Sequence, residues 1–257
     1  MGLLHETKMF LAQNFEMKDM GETFYVIGIE IHRDRTRKIL SLSQKAYIEK
    51  VLERFGMKHC SSIAAPIVKG EKFSLDQCPK NELERKEMDR ILYASLVGSL
   101  MYAQVCTRPD IAFIVGMLGR YQSNPEKDHW KSAKRVLRYL QGTKDYRLTY
   151  KQSDYLEVVG YFDSDFAGCV DSSKSTSGYI FLLAGGAASW RSIKQTIVAS
   201  STMEAEFIAC YETTSQALWL KNFIFGLKMV DSISRPLKIF CDNSTAVLFA
   251  KNNKSGS

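Results

Sequence analysis

Apolar positions in the first 56 residues predict a helix, a hairpin and a second helix. Loose helical spacing covers residues 3–15, and an almost continuous apolar run over residues 24–31 predicts the first strand of a hairpin that spans residues 23–42. Ser43 is the expected N-cap of the next helix, and Gly56 is its expected stop. The apolar face of this helix is formed by Tyr47, Ile48, Val51, Leu52 and Phe55.

The middle of the chain predicts a linker followed by several helices. Proline, glycine and mixed charge over residues 58–84 indicate a loop or linker. Helical spacing returns from Asp89 onward, and Pro109 fits the first turn of a helix. A further helix begins near Pro125 and is expected to end at Gly142. Its core-facing stripe is formed by Trp130, Ala133, Leu137 and Leu140.

The last part of the chain predicts a sheet with helices. Strands are expected near residues 156–163, 178–184, 186–191 and 195–199, and Gly185-Gly186 is the expected turn between the second and the third. A helix over residues 202–226 follows, then a strand over 237–242 and a short helix over 243–251. The residues of the long helix that should face the sheet are Ala205, Ile208, Ala209, Leu218 and Phe223. The order indicates a mixed α/β (α+β) fold.

Three carboxylates stand at the ends of these C-terminal elements. Asp163 ends an apolar strand, Glu206 lies near the start of the long helix, and Asp242 ends the second apolar strand. Because hard divalent cations prefer several anionic oxygens close together, this arrangement predicts a metal site.

Each of these carboxylates has an alternative. Asp165 could be the ligand in place of Asp163, which we prefer because it continues the strand directly, and Glu204 is the rival of Glu206. Asp242 could instead cap the helix that begins at Asn243. The segment Asp163-Ser164-Asp165 also fits the metal motif of a glycosyltransferase, although no glycine-rich nucleotide loop accompanies it.

Composition limits the class of protein. A chain of 257 residues with 45% hydrophobic and 25% charged residues is typical of a globular protein with one good-sized core or two modest ones. No apolar run reaches the length of a membrane span, and the N-terminus does not resemble a signal peptide, so we expect an intracellular protein, cytoplasmic or nuclear and not secreted. Six scattered cysteines without a C-x-x-C pair indicate reduced core thiols and argue against zinc.

The net charge of +7 favours an acidic partner, and nucleic acid is the first candidate. The hairpin turn contains Arg33, Arg35 and Arg37, which would either contact phosphates or form a solvated tip. The helix after Pro125 has a second basic group, for which we favour phosphate binding without base specificity because the whole chain is basic. This group is Lys131, Lys134, Arg135 and Arg138. We expect Trp190 and Trp219 to be core residues, and His129 to be structural.

Several short segments of the sequence resemble one protein family. The acids Asp163, Glu206 (in Ala-Glu-Phe-Ile-Ala) and Asp242 (in Cys-Asp-Asn) resemble those of the ribonuclease H fold. Three further segments are similar to the ribonuclease H region of copia-type retrotransposon Pol polyproteins. They are Lys-Ser-Thr-Ser-Gly-Tyr (174–179), Ser-Trp (189–190) and Ala-Leu-Trp-Leu (217–220). The family context also favours Glu206 over Glu204.

The same resemblance extends toward the N-terminus and implies three parts. Residues 1–75 are similar to the end of the reverse transcriptase, with a primer-grip-like hairpin and thumb. The segments that carry this resemblance are residues 17–22, 27–31 and 42–44. Residues 76–146 resemble the helical connection between the polymerase and the ribonuclease H of this family. The segments that carry this resemblance are residues 96–102, 107–110 and 135–140. Residues 147–257 are the implied ribonuclease H-like domain. The family's polymerase aspartates lie in a Tyr-x-Asp-Asp turn that does not occur here, so we expect no polymerase activity.

The resemblance implies two-metal hydrolysis of RNA in RNA–DNA hybrids, with the rest of the Pol polyprotein as partner and no membrane association. Asp163 would bridge two Mg²⁺ or Mn²⁺ ions, and Glu206 and Asp242 would each hold one. The family usually has a fourth acidic residue beyond the last helix, and the sequence ends without it, so we expect C-terminal truncation and impaired activity. The alternative is a non-catalytic nucleic-acid-binding remnant.

Overall fold

The computed structural model describes residues 2–19, 21–153, 156–227, 233 and 236–251. Within these residues the chain forms eight α-helices and two four-stranded sheets, which confirms the expected α+β class and is consistent with a ribonuclease H-like mixed sheet. The helices are α1 (Leu3–Asn14), α2 (Lys45–Arg54), α3 (Glu82–Asp89), α4 (Tyr93–Cys106), α5 (Ala112–Gly119), α6 (Lys127–Thr143), α7 (Thr202–Leu227) and α8 (Ser244–Lys251). The strands are β1 (Tyr25–Val26), β2 (Ile29–Asp34), β3 (Ile39–Ser43), β4 (Leu148–Lys151), β5 (Val159–Ser164), β6 (Thr176–Leu183), β7 (Gly186–Lys194) and β8 (Lys238–Phe240).

The first sheet is antiparallel in the order β1-β2-β3-β4. The single strand expected over residues 24–31 is wrong, because the chain turns back between β1 and β2. Ile27 and Gly28 both have positive φ angles, 42° and 80°, as a tight type I′ turn requires. β4 joins the sheet from much further along the chain, where Leu148 pairs with Leu42.

The helical core lies between α2, α4, α5 and α6. The predicted apolar face of α2 is confirmed: Ile48, Val51 and Leu52 are buried, and Tyr47 and Phe55 pack against the same core. Gly56 has the left-handed conformation expected after the helix, with φ 67°. The expected N-cap is wrong by one residue. Ser43 belongs to β3 and Gln44 stands at the cap position, although the Ser43 hydroxyl still accepts a hydrogen bond from the Lys45 amide at 3.2 Å.

The segment expected to be a loop or linker packs against this core. Phe73 and Cys78 are buried in it, a short 3-10 helix covers Leu75–Gln77, and α3 begins at Glu82. Apolar residues are too sparse in this segment to show a periodicity, so their burial depends on the helices that they meet.

Helix α6 confirms the predicted stripe, since Ala133, Leu137 and Leu140 are buried and Trp130 is partly buried against the core. Gly142 does not end the helix, which continues to Thr143. A Cβ at Gly142 would lie 2.8 Å from the Cβ of Ser62, so this glycine allows residues near 62 to approach the helix closely.

His129 is fully buried and structural, as expected. Its Nδ1 accepts a hydrogen bond from the Glu126 amide at 3.0 Å, and its ring stacks on Tyr121 with 4.3 Å between centroids. Burial lowers the pKa of His129. The imidazole is therefore a neutral capping group of α6.

The second sheet has the order β7-β6-β5-β8, in which β8 is parallel to β5 and the other pairs are antiparallel. Its hairpin turn lies one residue earlier than expected, at Ala184 and Gly185, whose φ angles are 53° and 79°. Gly186 already pairs with Leu183. The strand expected over residues 195–199 is wrong: this segment is a loop, and the buried Gln195 side chain ties it to Ser177 and to the carbonyl of Ala205.

Helix α7 packs on this sheet through residues spaced mostly by four. The predicted Ala205 and Ala209 are buried, and Ile208 is half-buried. The predicted Leu218 and Phe223 are wrong, because they are exposed at 59% and 48%. The buried face continues instead through Thr213, Ala217, Leu220 and Ile224.

Two other expectations concern the tryptophans and the membrane. Trp219 is 57% exposed and therefore not a core residue, whereas Trp190 is half-buried. None of the described helices combines the length and the apolar character that a membrane crossing needs. The six cysteines are free thiols, of which Cys78 and Cys169 are buried.

Candidate metal centre

The parallel pairing of β5 and β8 brings two of the predicted acids to the same edge of the sheet. Tyr161 pairs with Phe240, so Asp163 and Asp242 each lie two residues beyond a register pair. Asp163 lies within β5, whereas Asp242 lies two residues after β8 ends at Phe240, so the strand expected over residues 237–242 is shorter than predicted. Helix α7 supplies Glu206 from its first turns.

The three predicted acids meet at this edge. One carboxylate oxygen from each of Asp163, Glu206 and Asp242 lies within 4.8 Å of the other two. This is the one group of three or more His, Cys, Asp or Glu side chains with such spacing in the described part of the chain. Glu206 is buried, whereas Asp163 and Asp242 are exposed, so the centre has one internal and two solvent-facing carboxylates.

Glu206 is held by a backbone donor. The Ser164 amide donates to Oε1 of Glu206 at 3.2 Å, and the Cys241 thiol lies 3.9 Å from Oε2. Burial raises the pKa of Glu206, and the negative charge of Asp163 raises it further, which outweighs the opposing effect of the Ser164 amide.

The donor set fits a hard divalent cation. Among the salt bridges of the described residues, none involves any of the three carboxylates. Three negative groups that converge without a cationic side chain are the arrangement that Mg²⁺ or Mn²⁺ would stabilise. The structure thus brings together the predicted ligands, and their role in metal binding stays a prediction.

The rival ligands have other partners. The carboxylate of Asp165 accepts a short hydrogen bond from the Thr176 amide, and the Asp165 amide donates to the Thr176 carbonyl at 3.1 Å. Glu204 accepts from the amide and the hydroxyl of Ser200, at 2.7 and 2.6 Å. These hydrogen bonds hold the chain in place after the end of β5 and at the start of α7.

Asp242 does not cap α8. The side chain of Asn243 performs that function, because its Oδ1 accepts from the Ala246 amide at 3.0 Å. The carboxylate of Asp242 is therefore left for the centre.

A groove of about 740 Å³ adjoins the centre on the side of the helical part. Its lining includes Asp163 and Asp165 and the aromatic residues Phe113, Tyr179 and Trp190. The indole Nε1 of Trp190 donates to the carbonyl of Gln104 at 3.0 Å, which fixes this ring between the sheet and α4.

Sequence reasoning missed the ion pair near this groove. Arg108 is 2% exposed, and its guanidinium donates to both carboxylate oxygens of Asp110, at 3.0 and 2.7 Å. It also donates to the carbonyl of Thr143, and Tyr139 donates to Asp110 at 2.8 Å. The Thr-Arg-Pro-Asp segment supported the expected helix start at Pro109 and the family resemblance, although a charged pair two residues apart was also visible in it.

The predicted basic residues fall into two different settings. In the hairpin, Arg33 donates to the carbonyl of Thr23 at 2.7 Å, Arg35 pairs with Glu22, and Arg37 pairs with Asp34 at 3.7 Å. The four basic residues of α6 all line one cavity of about 570 Å³. These are Lys131, Lys134, Arg135 and Arg138.

The sequence matches a known family and several known proteins. Residues 1–69 match the family model "Reverse transcriptase (RNA-dependent DNA polymerase)". The Pol polyprotein of transposon TNT 1-94 from Nicotiana tabacum is 44% identical over 254 residues, which is 98% of this chain and 19% of that protein. The Pol polyprotein of transposon RE2 from Arabidopsis thaliana is 36% identical over 97% of this chain and 16% of that protein.

A third relative covers about half of the chain. "Secreted RxLR effector protein 161" of Plasmopara viticola is 50% identical over 133 residues, which is 52% of this chain and 94% of that protein. No solved structure matches the chain significantly. The boundaries expected near residues 75 and 146 stay predictions, and residues 252–257 of the last part lie outside the described residues.

The two polyproteins align with nearly the whole chain, whereas the chain spans less than a fifth of their lengths. The segments that resemble the ribonuclease H region and the connection therefore lie within one continuous alignment with each polyprotein. The chain belongs to the family of copia-type retrotransposon Pol polyproteins.

Proposed function

We propose that the C-terminal part of this chain hydrolyses the RNA strand of RNA–DNA hybrids in a metal-dependent reaction of the ribonuclease H type. The observation that supports the proposal is the convergence of Asp163, Glu206 and Asp242 at one edge of a mixed sheet. The RNA–DNA hybrid as substrate follows from the family, because a reverse transcriptase produces a hybrid when it copies RNA into DNA.

The three carboxylates would hold one or two Mg²⁺ or Mn²⁺ ions. Such an ion supplies an activated water and stabilises negative charge on the phosphodiester. Glu206 is the fixed member, because it is buried and accepts the Ser164 amide. Asp163 and Asp242 are exposed, so a phosphodiester can approach the centre from their side.

The aromatic groove suits the sugars and bases next to that phosphodiester. Phe113, Tyr179 and Trp190 present ring surface beside Asp163. Ring faces accept any base or sugar face, which is compatible with recognition of a hybrid by its shape and its 2′-hydroxyls. We assign no polymerase activity to this chain, since the Tyr-x-Asp-Asp turn does not occur in its sequence. The remainder of a Pol polyprotein is the proposed partner.

The test is cleavage of a hybrid whose RNA strand is labelled, first in Mg²⁺ and then in Mn²⁺. We expect cleavage of RNA but not of DNA, and a loss on the order of 100-fold or more in Asp163→Asn, which removes a metal ligand. Asp165→Asn is the matched control, because its amide oxygen can still accept the Thr176 hydrogen bond. A folded chain that binds the hybrid but cleaves none of it in either metal would contradict hydrolysis and leave nucleic-acid binding.

A further inference from the structure

A cavity between α6 and residues 57–77 has an excess of positive charge. Its volume is about 570 Å³, which is within the range of ligand sites. Its charged lining has five basic and two acidic side chains, so the formal balance is +3. The basic members are Lys72, Lys131, Lys134, Arg135 and Arg138, and the acidic members are Glu71 and Asp128.

In the described part of the chain, only one of the two acids forms an ion pair with a basic residue of the cavity. Asp128 pairs with Lys131 at 2.8 Å. Glu71 instead accepts hydrogen bonds from neutral donors, namely the Ser132 hydroxyl and the Val68 amide. Among the salt bridges of the described residues, none joins Glu71 to a base.

Two of the remaining bases are held in position by uncharged groups. Arg138 donates from Nε and Nη2 to the carbonyl and the hydroxyl of Ser61, at 2.9 and 2.8 Å. The ammonium of Lys134 lies over the Trp130 ring, 5.6 Å from its centroid. Among the described residues, no ion pair and no side-chain hydrogen bond involves Lys72 or Arg135. The cations are therefore partly preorganised, and most of their charge is not compensated.

This arrangement differs from that of the hairpin tip. There Arg35 and Arg37 each pair with a carboxylate, Glu22 and Asp34 respectively. Preorganised cations without carboxylate partners can exchange their counterions for phosphates, whereas paired cations must first break an ion pair. The α6 cavity is thus better suited to a phosphate ligand than the hairpin.

We propose that the α6 cavity is a phosphate-binding site that holds the backbone of a nucleic-acid strand, separately from the acidic centre. The choice of nucleic acid rests on the proposed function, whereas the phosphate chemistry rests on the cavity alone. Residues 131, 134, 135 and 138 recur at helical spacing along α6, so they can follow successive phosphates of one strand. Because no base-reading group is implied, binding should be independent of sequence.

The test separates this binding from catalysis. Binding of a fluorescent RNA–DNA hybrid is measured by anisotropy in EDTA, on the Asp163→Asn background, as a function of salt. The cavity variant combines Lys72→Gln with Arg135→Gln, because neither side chain has an ion pair or a hydrogen bond to another described residue that the substitution would break. The control combines Arg35→Gln with Arg37→Gln, which changes the net charge by the same amount.

We expect the cavity variant to bind at least about tenfold more weakly near 0.1 M salt, with a salt slope that is smaller by about 2, and the control to stay within about twofold of the parent. Equal losses in both variants, or no loss in the cavity variant, would overturn the site. The melting temperature of each variant shows whether it is folded, and Lys72→Arg with Arg135→Lys should restore binding if charge is what matters.

A second arm separates the possible sources of phosphate. Inorganic tripolyphosphate is added to the parent chain, and its binding is measured by calorimetry. Weak binding of tripolyphosphate together with tight binding of the hybrid supports a nucleic-acid backbone. Tight binding of tripolyphosphate without binding of the hybrid would overturn it in favour of a free polyphosphate. Neither outcome depends on cleavage, so failure of the proposed hydrolysis would leave this test intact.

Discussion

The backbone amide of Ser164, the last residue of β5, donates a hydrogen bond to the buried carboxylate of Glu206 in α7 at 3.2 Å. This bond joins the strand that presents Asp163 to the helix that presents the second acid. It orients Glu206 toward Asp163 without a cationic side chain, and so it preserves the negative charge that a metal ion needs.

The first prediction concerns the stability cost of this centre. In the metal-free protein, burial and the charge of Asp163 raise the pKa of Glu206, so the ionised form is disfavoured relative to the unfolded chain. Stability should therefore fall as the pH rises from the unfolded value near 4.3 through the folded pKa, and it should stay lower at neutral pH. Glu206→Gln can still accept the Ser164 amide, so we expect it to raise the melting temperature of the metal-free protein at pH 7.

The same variant should not respond to Mn²⁺, because it lacks a ligand. Melting curves with EDTA and with Mn²⁺ measure both effects. A metal-free Glu206→Gln protein that melts below the parent at pH 7 would show that the carboxylate does not destabilise the fold.

The second prediction separates Asp165 from Asp163. Asp165→Ala leaves the buried amide of Thr176 without its acceptor, so we expect a loss of about 1–3 kcal/mol in the free energy of unfolding. Asp163 is exposed, so Asp163→Ala should change the metal-free stability less. Urea denaturation of both variants in EDTA measures the difference. Equal losses would contradict the division of roles between the two aspartates.

The third prediction concerns the close approach at Gly142. An alanine there would place its Cβ 2.8 Å from the Cβ of Ser62, so we expect Gly142→Ala to destabilise the protein by about 1–3 kcal/mol. A Cβ added at Gly98, in α4, would enter open space, so Gly98→Ala should stabilise by up to about 1 kcal/mol through helix propensity. Opposite signs in thermal or urea denaturation support the packing of residues near 62 on α6, and a stabilising Gly142→Ala would refute it.

The fourth prediction concerns acid sensitivity. Burial alone would raise the pKa of Asp110, but the hydrogen bonds and charge of Arg108, with the hydroxyl of Tyr139, lower it overall. A lowered folded pKa stabilises the protein above the unfolded value near 3.9, and this contribution is lost as the pH falls through the folded pKa. The free energy of unfolding should therefore decrease from about pH 5 downward.

Asp110→Asn should flatten this part of the pH profile. At neutral pH it should also cost about 3–5 kcal/mol, because it leaves the buried guanidinium of Arg108 without its counter-ion. Urea denaturation between pH 3 and pH 7 measures both effects. A variant whose pH profile has the same slope as the parent below pH 5 would contradict the role of this pair.

Local patterns in the sequence predicted much of the fold. The apolar face of α2 and the stripe of α6 followed from spacing alone, because a helix buries the residues that recur on one side. The continuous apolar run over residues 24–31 misled the strand prediction, since its tight turn depends on Ile27 and Gly28 and not on a polar interruption.

The face of α7 shows a different limit. Leu218, Trp219 and Phe223 are more hydrophobic than Thr213, yet Thr213 is the buried residue. Its hydroxyl donates to the carbonyl of Ala209 at 2.7 Å, so its polar group is satisfied within the helix. Hydrophobicity alone could not indicate this.

The candidate site was predictable as a set of residues, and its geometry was not. Asp163 and Asp242 could be paired because each was expected at the end of an apolar strand, but the register of β5 and β8 comes only from the folded sheet. The choice between Asp163 and Asp165 likewise depends on the Thr176 amide, which lies on another strand. The cavity beside α6 required the packing of residues 57–77, which the sequence showed only as a loop.

The most direct test of the metal centre is a calorimetric titration of the metal-free protein with Mn²⁺, repeated for Asp163→Asn and Asp165→Asn. Both substitutions remove one negative charge, so only the position of the aspartate differs. We expect the parent and Asp165→Asn to bind Mn²⁺ with similar affinity, and Asp163→Asn to lose this binding while it stays folded. Unchanged Mn²⁺ binding in Asp163→Asn, or a loss confined to Asp165→Asn, would contradict the assignment of the centre to Asp163, Glu206 and Asp242.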